Sequence, residues 1–161
     1  AGMLGTTLYN SACYYRYSNL DLNQLASNLN GNANHLASAV KAFAAAMIHS
    51  IPTGKQTASA AQNPPAVVFV VAREYGLWSL ANAFVPSITV RGNEDLVAKS
   101  AGAMFGHYGR LCKMYGTEGV RYAGAATYLE SVDVPEGVMT EENVSSLIEN
   151  TLRGLGVAVN A

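Results

Sequence analysis

The run Ala66 to Ala72 (AVVFVVA) is the strongest constraint on how this chain folds. Every position in it is apolar, most of its side chains are β-branched, and Pro64 and Pro65 close the segment before it. A half-buried strand alternates between apolar and polar side chains, whereas a strand covered on both faces is apolar throughout. The run therefore predicts a central strand that other elements cover on both faces.

The segments around this strand predict an α+β fold. Apolar side chains at helical spacing predict a helix over Asn34 to His49, which Pro52 prevents from continuing. The tyrosine-rich segment Asn10 to Tyr17 predicts an earlier strand with one face against a core. Further elements are predicted as helices over Asp21 to Leu29, Ser79 to Phe84, Asn93 to Gly116 and Thr140 to Gly154, and as a strand over Val120 to Leu129. We expect residues 1–161 to form a single domain.

Charge is scarce in this chain and unevenly distributed along it. Charged residues make up 13% of the sequence, against a usual share of about 25%, which indicates either a surface that meets partners or a compact, alanine-rich helical domain. Residues 1–73 hold four basic side chains and one acidic one, a net charge of +3, whereas residues 122–161 hold one basic and six acidic ones, a net charge of −5. The first part suits an anionic partner. Because no basic block dominates, each copy is expected to make few phosphate contacts, with avidity from many copies.

Residue spacing predicts no catalytic, metal or cofactor site. Cys13 and Cys112 lack CxxC spacing and are expected to be free thiols in the cytoplasm. The three histidines lie far apart without metal-ligand spacing, no serine lies in a GxSxG frame, and no carboxylate pair stands out. The longest apolar run is far shorter than the roughly 20 residues that cross a bilayer, so no membrane contact is expected.

The loop after the predicted helix carries the strongest indication of binding. Gly54 permits a turn with exposed N–H groups, and Lys55 supplies a positive charge. Thr53, Gln56 and Thr57 add uncharged donors. This combination suits a phosphate and its adjoining sugar, while the plainer interpretation is a solvated turn.

The pair Gly54-Lys55 does not form a nucleotide-binding P-loop. The upstream glycine of GxxxxGK[ST] is absent, Gln56 stands where Ser or Thr is needed, and a helix precedes the loop while a strand follows it. Binding of a nucleoside triphosphate is therefore not expected.

Arg16 and the tyrosines around it form a second candidate contact. Arg16, Tyr14, Tyr15 and Tyr17 have the side chains that stack on bases or ribose. Tyrosines in a strand are more often part of ordinary sheet packing, so both interpretations stay open.

Four segments occur together in an order and at gaps that resemble a known family. They are Leu4-Gly5-Thr6, Tyr15 to Leu25, Pro52 to Gln56 with Asn63-Pro64, and Ser79 to Phe84. Together they resemble the C-terminal half of the CasC family, the backbone subunit of the type I-E CRISPR Cascade surveillance complex. The resemblance is strong over residues 1–84 and weak beyond them.

The resemblance implies a hand-shaped subunit with a ferredoxin-like (RRM-like) palm, fingers and a thumb. This sequence would supply only the C-terminal half of the palm, namely its third strand, second helix and fourth strand, plus additional C-terminal helices. The first palm strand, its helix, the fingers and most of the thumb would have no counterpart here, and we expect that half, or partner molecules, to cover the open edge and face of the sheet. The loop Thr53 to Thr57 would face the RNA backbone, with Lys55 and Gln56 as the positions carried over.

The expected function is that of a non-catalytic CRISPR RNA-binding backbone subunit in cytoplasmic antiviral defence. The expected partners are CRISPR RNA, target nucleic acid through the guide, copies of the chain itself in a filament, and other Cascade subunits. A ribonuclease of the same superfamily is one alternative, and it would need a His or Asp in the RNA-facing loop, whereas His49 is the nearest histidine. The other alternative is a purely structural oligomerisation module without nucleic acid.

Overall fold

The computed structural model describes residues 12–54 and 56–157, without the side chain of Ala58, and Lys55 lies outside the described residues. Its helices are α1 (Leu22–Asn28), α2 (Ala33–His49), α3 (Gln56–Ser59), α4 (Leu96–Tyr115) and α5 (Val144–Gly154), with a 3₁₀ helix over Ala81–Phe84. Its strands are β1 (Val67–Arg73), β2 (Val120–Thr127) and β3 (Met139–Thr140).

The described strands form one mixed sheet in the order β1-β2-β3. Strands β1 and β2 are antiparallel, and β2 and β3 are parallel. The register places a large side chain of β1 opposite a small residue of β2, as with Phe69 opposite Ala125 and Val70 opposite Gly124. Because β2 contributes little side-chain volume, helices can approach the sheet closely on both faces.

Helix α4 covers one face of the sheet. Phe105 and Tyr108 are buried there, and their rings meet the ring of Phe69 edge-on, with centroids 5.4 and 4.9 Å away. Edge-on ring pairs stabilise a core by about 0.5–1.5 kcal/mol beyond the burial of their area. Burial also raises the pKa of the Tyr108 hydroxyl well above its ordinary value, with a hydrogen bond to Cys112 as a smaller cause.

Helix α5 covers the opposite face, and α2 packs on α5. The Tyr122 hydroxyl donates to one carboxylate oxygen of Glu141 at 2.8 Å, and the Asn150 amide donates to the other at 2.8 Å. These two bonds link β2 and α5 through one carboxylate. Burial, followed by the bond to Glu141, raises the pKa of the Tyr122 hydroxyl.

The structure confirms the α+β class and most of the predicted elements. Strand β1 begins and ends within one residue of its prediction and is covered on both faces, but it lies at an edge of the described sheet instead of its centre. The N-caps of the three longest helices lie two or three residues from their predicted positions, earlier for α2 and later for α4 and α5. The caps are Asn32, Asp95 and Asn143, whose side chains each accept a backbone N–H two or three residues on.

The predicted early strand is wrong over its described part, residues 12–17, which have no regular secondary structure; residues 10 and 11 lie outside the described residues. Instead, the Tyr15 hydroxyl accepts the Leu80 N–H at 3.0 Å, and its ring lies 5.3 Å from that of Phe84. A strand forms only beside another strand, and the described sheet has none next to this segment. The segment is therefore tied down by side chains, and its assignment as the third palm strand does not hold in the described chain.

We predict opposite effects for alanine at two helix glycines. A Cβ at Gly154 would lie 2.6 Å from the Cβ of Tyr122, so Gly154→Ala should lower the free energy of unfolding by about 1–3 kcal/mol. Gly102 is exposed on α4 with nothing within 4 Å of an added Cβ, so Gly102→Ala should raise it by about 0.5–1 kcal/mol. Chemical denaturation measures both, and a stabilising effect of Gly154→Ala would contradict the close packing of α5 on β2.

Candidate nucleic-acid interface

The candidate interface is the loop that joins α2 to β1, residues 50–66. Helix α2 ends at His49, and the Ser50 N–H still reaches the Ala46 carbonyl at 2.9 Å. Pro52 then turns the chain away from the helix axis because it lacks an N–H group. The single turn of α3 follows, and the chain returns to the core as β1.

Gln56 closes this loop on itself. Its side-chain nitrogen donates to the Pro52 carbonyl at 2.8 Å and to the Ala61 carbonyl at 3.3 Å, so it joins the beginning of the loop to the segment that follows α3. Its side-chain oxygen is buried and accepts no hydrogen bond from the described residues. These two bonds constrain residues 52–61 before a ligand arrives, which reduces the entropy lost on binding.

The outer side of the loop presents uncharged donors. Thr53, Gly54 and Thr57 are exposed, and no atom lies within 4 Å of a Cβ built at Gly54. The glycine therefore contributes open space on the outside of the turn, and its φ is not in the left-handed region. Lys55, to which the sequence assigns the charge contact, lies outside the described residues.

Arg16 lies beside this loop, at the C-terminal end of α2. Its guanidinium donates to the Ser50 carbonyl at 2.6 Å and also to the carbonyls of Met47 and Ile48. The last carbonyls of a helix carry partial negative charge and would repel a phosphate. Arg16 offsets that charge where the loop begins, so the structure brings it together with the loop, although these donors are used within the chain.

Gln56 and Arg16 have hydrogen-bond partners within the chain that were not predicted from the sequence. Both were predicted as donors to a ligand, and the structure shows each also bonding to backbone carbonyls. Gln56 lies four residues after Pro52, so a local contact was within reach of sequence reasoning. The partners of Arg16 lie more than 30 residues away along the chain, and no local pattern marks them.

The described residues contain no group of three His, Cys, Asp or Glu side chains that would hold a metal ion. His49 is exposed in the last turn of α2. Over the same described ranges, no helix combines the length and apolar character needed to span a bilayer.

By its fold, the protein is an α+β unit whose mixed sheet is covered on both faces. The chain belongs to the Cas CT1975-like family, whose model matches residues 1–150. The resemblance to a CRISPR-associated family is therefore confirmed at that level, and the assignment to CasC of type I-E stays a prediction. No curated protein matches the chain.

Two solved structures share the fold. One is a chain described as "CRISPR RNA-guided surveillance complex", with a TM-score of 0.75 and 24% identity over 84% of this chain and 50% of that one. The other is a chain of a "CRISPR RNA-guided surveillance complex, pre-nicking", with a TM-score of 0.73 and 24% identity over 83% of this chain and 39% of that one. This chain thus spans half or less of the length of these two chains.

Arg16→Lys is expected to lower the free energy of unfolding by about 1 kcal/mol. A lysine keeps the charge, but its single ammonium lacks the planar fork that reaches several carbonyls. Chemical denaturation measures the effect, with Lys41→Arg on the exposed side of α2 as the control. If Arg16→Lys were as stable as the wild type, the capping role of the guanidinium would be refuted.

Proposed function

We propose that this protein is the non-catalytic backbone subunit of a Cascade-type CRISPR surveillance complex, of the CasC kind, and that it holds CRISPR RNA by its sugar-phosphate backbone. The observation that carries the proposal is the 50–66 loop, which exposes several donors on a turn that Gln56 holds closed. Membership of the Cas CT1975-like family and the fold shared with chains of RNA-guided surveillance complexes support it.

The proposed contact is electrostatic and independent of base sequence. Lys55 neutralises one phosphate, while Thr53, Gly54 and Thr57 donate to phosphate and sugar oxygens. Such contacts set the position of a nucleic acid and do not read its bases. The base sequence of the target is then recognised by base pairing with the guide.

Each copy of the chain makes few contacts with the RNA, so the affinity of the assembly comes from several copies bound to one guide. The chain has a net charge of −1, so a single copy has little long-range attraction for RNA. Copies bound side by side on one guide turn each further contact into an intramolecular event. We therefore propose copies of this chain, the guide, its target and other Cascade subunits as the partners, assembled in the cytoplasm.

Lys55→Ala should reduce the salt dependence of RNA binding in the full-length assembled protein. Loss of one phosphate contact per subunit lowers the slope of log K against log salt by about 0.7 for a single-stranded RNA. The slope is measured by fluorescence anisotropy with a labelled guide. Arg91→Ala removes an exposed basic residue ahead of α4, outside the loop, and should leave the slope unchanged; equal slopes for Lys55→Ala and wild type would reject the loop assignment.

Guide RNA incubated with the protein should keep its full length, because we propose no catalytic role for the loop. General acid–base cleavage needs a titratable group within hydrogen-bonding reach of the reacting atoms, and His49 is the exposed histidine at the end of α2. Denaturing gel electrophoresis follows the RNA over time. Shortening of the RNA that His49→Ala abolishes would establish the ribonuclease alternative instead.

A further inference from the structure

The tyrosine-rich segment ahead of α1 carries an exposed ring that the function proposed so far does not use. Tyr15 is engaged within the chain, because its hydroxyl accepts the Leu80 N–H at 3.0 Å and its ring lies 5.3 Å from that of Phe84. Tyr14, its neighbour, has 77% of its surface exposed. Tyr15 therefore serves the core, whereas the Tyr14 ring is open to solvent and to a ligand.

Tyr14 is held close to the start of the 50–66 loop. Arg16 donates to the carbonyl of Ser50, the first residue of that loop, at 2.6 Å. Two residues of chain span at most about 7 Å, so the backbone of Tyr14 lies near this contact. Both residues that follow Tyr14 are anchored by their side chains. Binding to the ring would therefore order little more than its two side-chain torsions.

A tyrosine ring beside a loop that holds phosphate and sugar suits a nucleobase. Single exposed apolar side chains are common and need no function, so the argument depends on where this ring lies. Proteins that hold single strands combine contacts to the backbone with aromatic rings on which the bases stack. A strand held at the loop would carry its bases within a short distance of Tyr14. Because every base has a flat face, such stacking does not depend on base sequence.

A second exposed tyrosine lies beside the other end of the loop, in a different electrostatic setting. Tyr128 has 69% of its surface exposed and follows Thr127, whose hydroxyl donates to the carbonyl of Ala66, the last residue of the loop, at 3.0 Å. Residues 128–136 contain three acidic side chains and no basic one, whereas residues 12–21 contain one of each sign. The sugar-phosphate chain of RNA is therefore repelled beside Tyr128 and meets no net charge beside Tyr14.

We infer that the Tyr14 ring stacks on a base of the RNA strand whose sugar-phosphate backbone the 50–66 loop holds. The inference rests on the proposed function and adds to it a contact with the face of a base. Stacking on an uncharged ring neutralises no phosphate and releases no counterion, so it raises the affinity without adding to the salt dependence. The two contacts can therefore be measured separately, the loop contact as a salt slope and the stacking contact as an affinity at fixed salt.

Substitutions at Tyr14 test the stacking contact in the full-length assembled protein. Tyr14→Ala should weaken the binding of a labelled guide at fixed salt by at least about fivefold, while the slope of log K against log salt stays at the wild-type value. Tyr14→Phe keeps the ring and should bind as the wild type does. Tyr14→Leu keeps apolar bulk without a flat ring and should lose as much affinity as the alanine variant. Fluorescence anisotropy over a range of salt concentrations measures both quantities.

Tyr128→Ala is the matched control, since it removes a tyrosine exposed to a similar extent at the other end of the loop. It should leave both the affinity and the salt slope unchanged. Chemical denaturation should give each variant the wild-type midpoint, because exposed side chains contribute little to stability. A guide that carries photoreactive thiouridine should also cross-link to Tyr14 of the wild-type protein. The cross-link needs no variant, so it tests the contact independently of any effect on folding.

Three results would each overturn the inference: wild-type affinity in Tyr14→Ala, an equal loss in Tyr128→Ala, or thiouridine cross-links that all lie away from Tyr14. If Lys55→Ala lowers the salt slope while Tyr14→Ala keeps the wild-type affinity, the stacking contact fails and the proposed function stands. If Lys55→Ala keeps the wild-type slope while Tyr14→Ala weakens binding, the loop assignment fails and the base contact at Tyr14 is supported without it.

Discussion

The packing of the whole molecule depends on the pairing of a bulky strand with a strand of small residues. Val68, Phe69, Val70 and Val71 of β1 stand opposite Ala126, Ala125, Gly124 and Ala123 of β2. Large residues facing small ones let neighbouring layers interdigitate at the density of a protein interior. The rings of α4 can therefore reach Phe69 on one face. On the other face, Gly124 and Gly154 leave the space that the Tyr122 ring occupies between β2 and α5.

The pattern of apolar residues predicted most helices and strands, because the burial of an element determines which of its residues are apolar. The pairing of one strand with another leaves no such pattern in the sequence. The apolar run of β1 shows that both its faces are covered, yet nothing in it reveals that it has one neighbouring strand in the described sheet. The two-residue strand Met139–Thr140 exists through its pairing with β2, whereas the sequence pattern predicts Thr140 as the start of a helix. Residues 12–17 favour a strand by composition, but in the described chain they lack a strand to pair with. The caps were misplaced because several capping residues lie close together at each helix start.

The sequence could identify which side chains are able to bind a phosphate, but not which of them the chain itself engages. Gln56 and Arg16 bond to carbonyls within the protein, whereas Thr53, Gly54 and Thr57, which were also predicted as donors, are exposed on the outside of the loop.

Ultraviolet cross-linking of the full-length assembled protein to its co-purified RNA, followed by mass spectrometry of the peptides, tests the central claim most directly. The account predicts nucleotide adducts on peptides that contain residues 50–61, close to the exposed threonines of the loop. Adducts confined to other peptides, with this segment unmodified in a sample that retains its RNA, would contradict it.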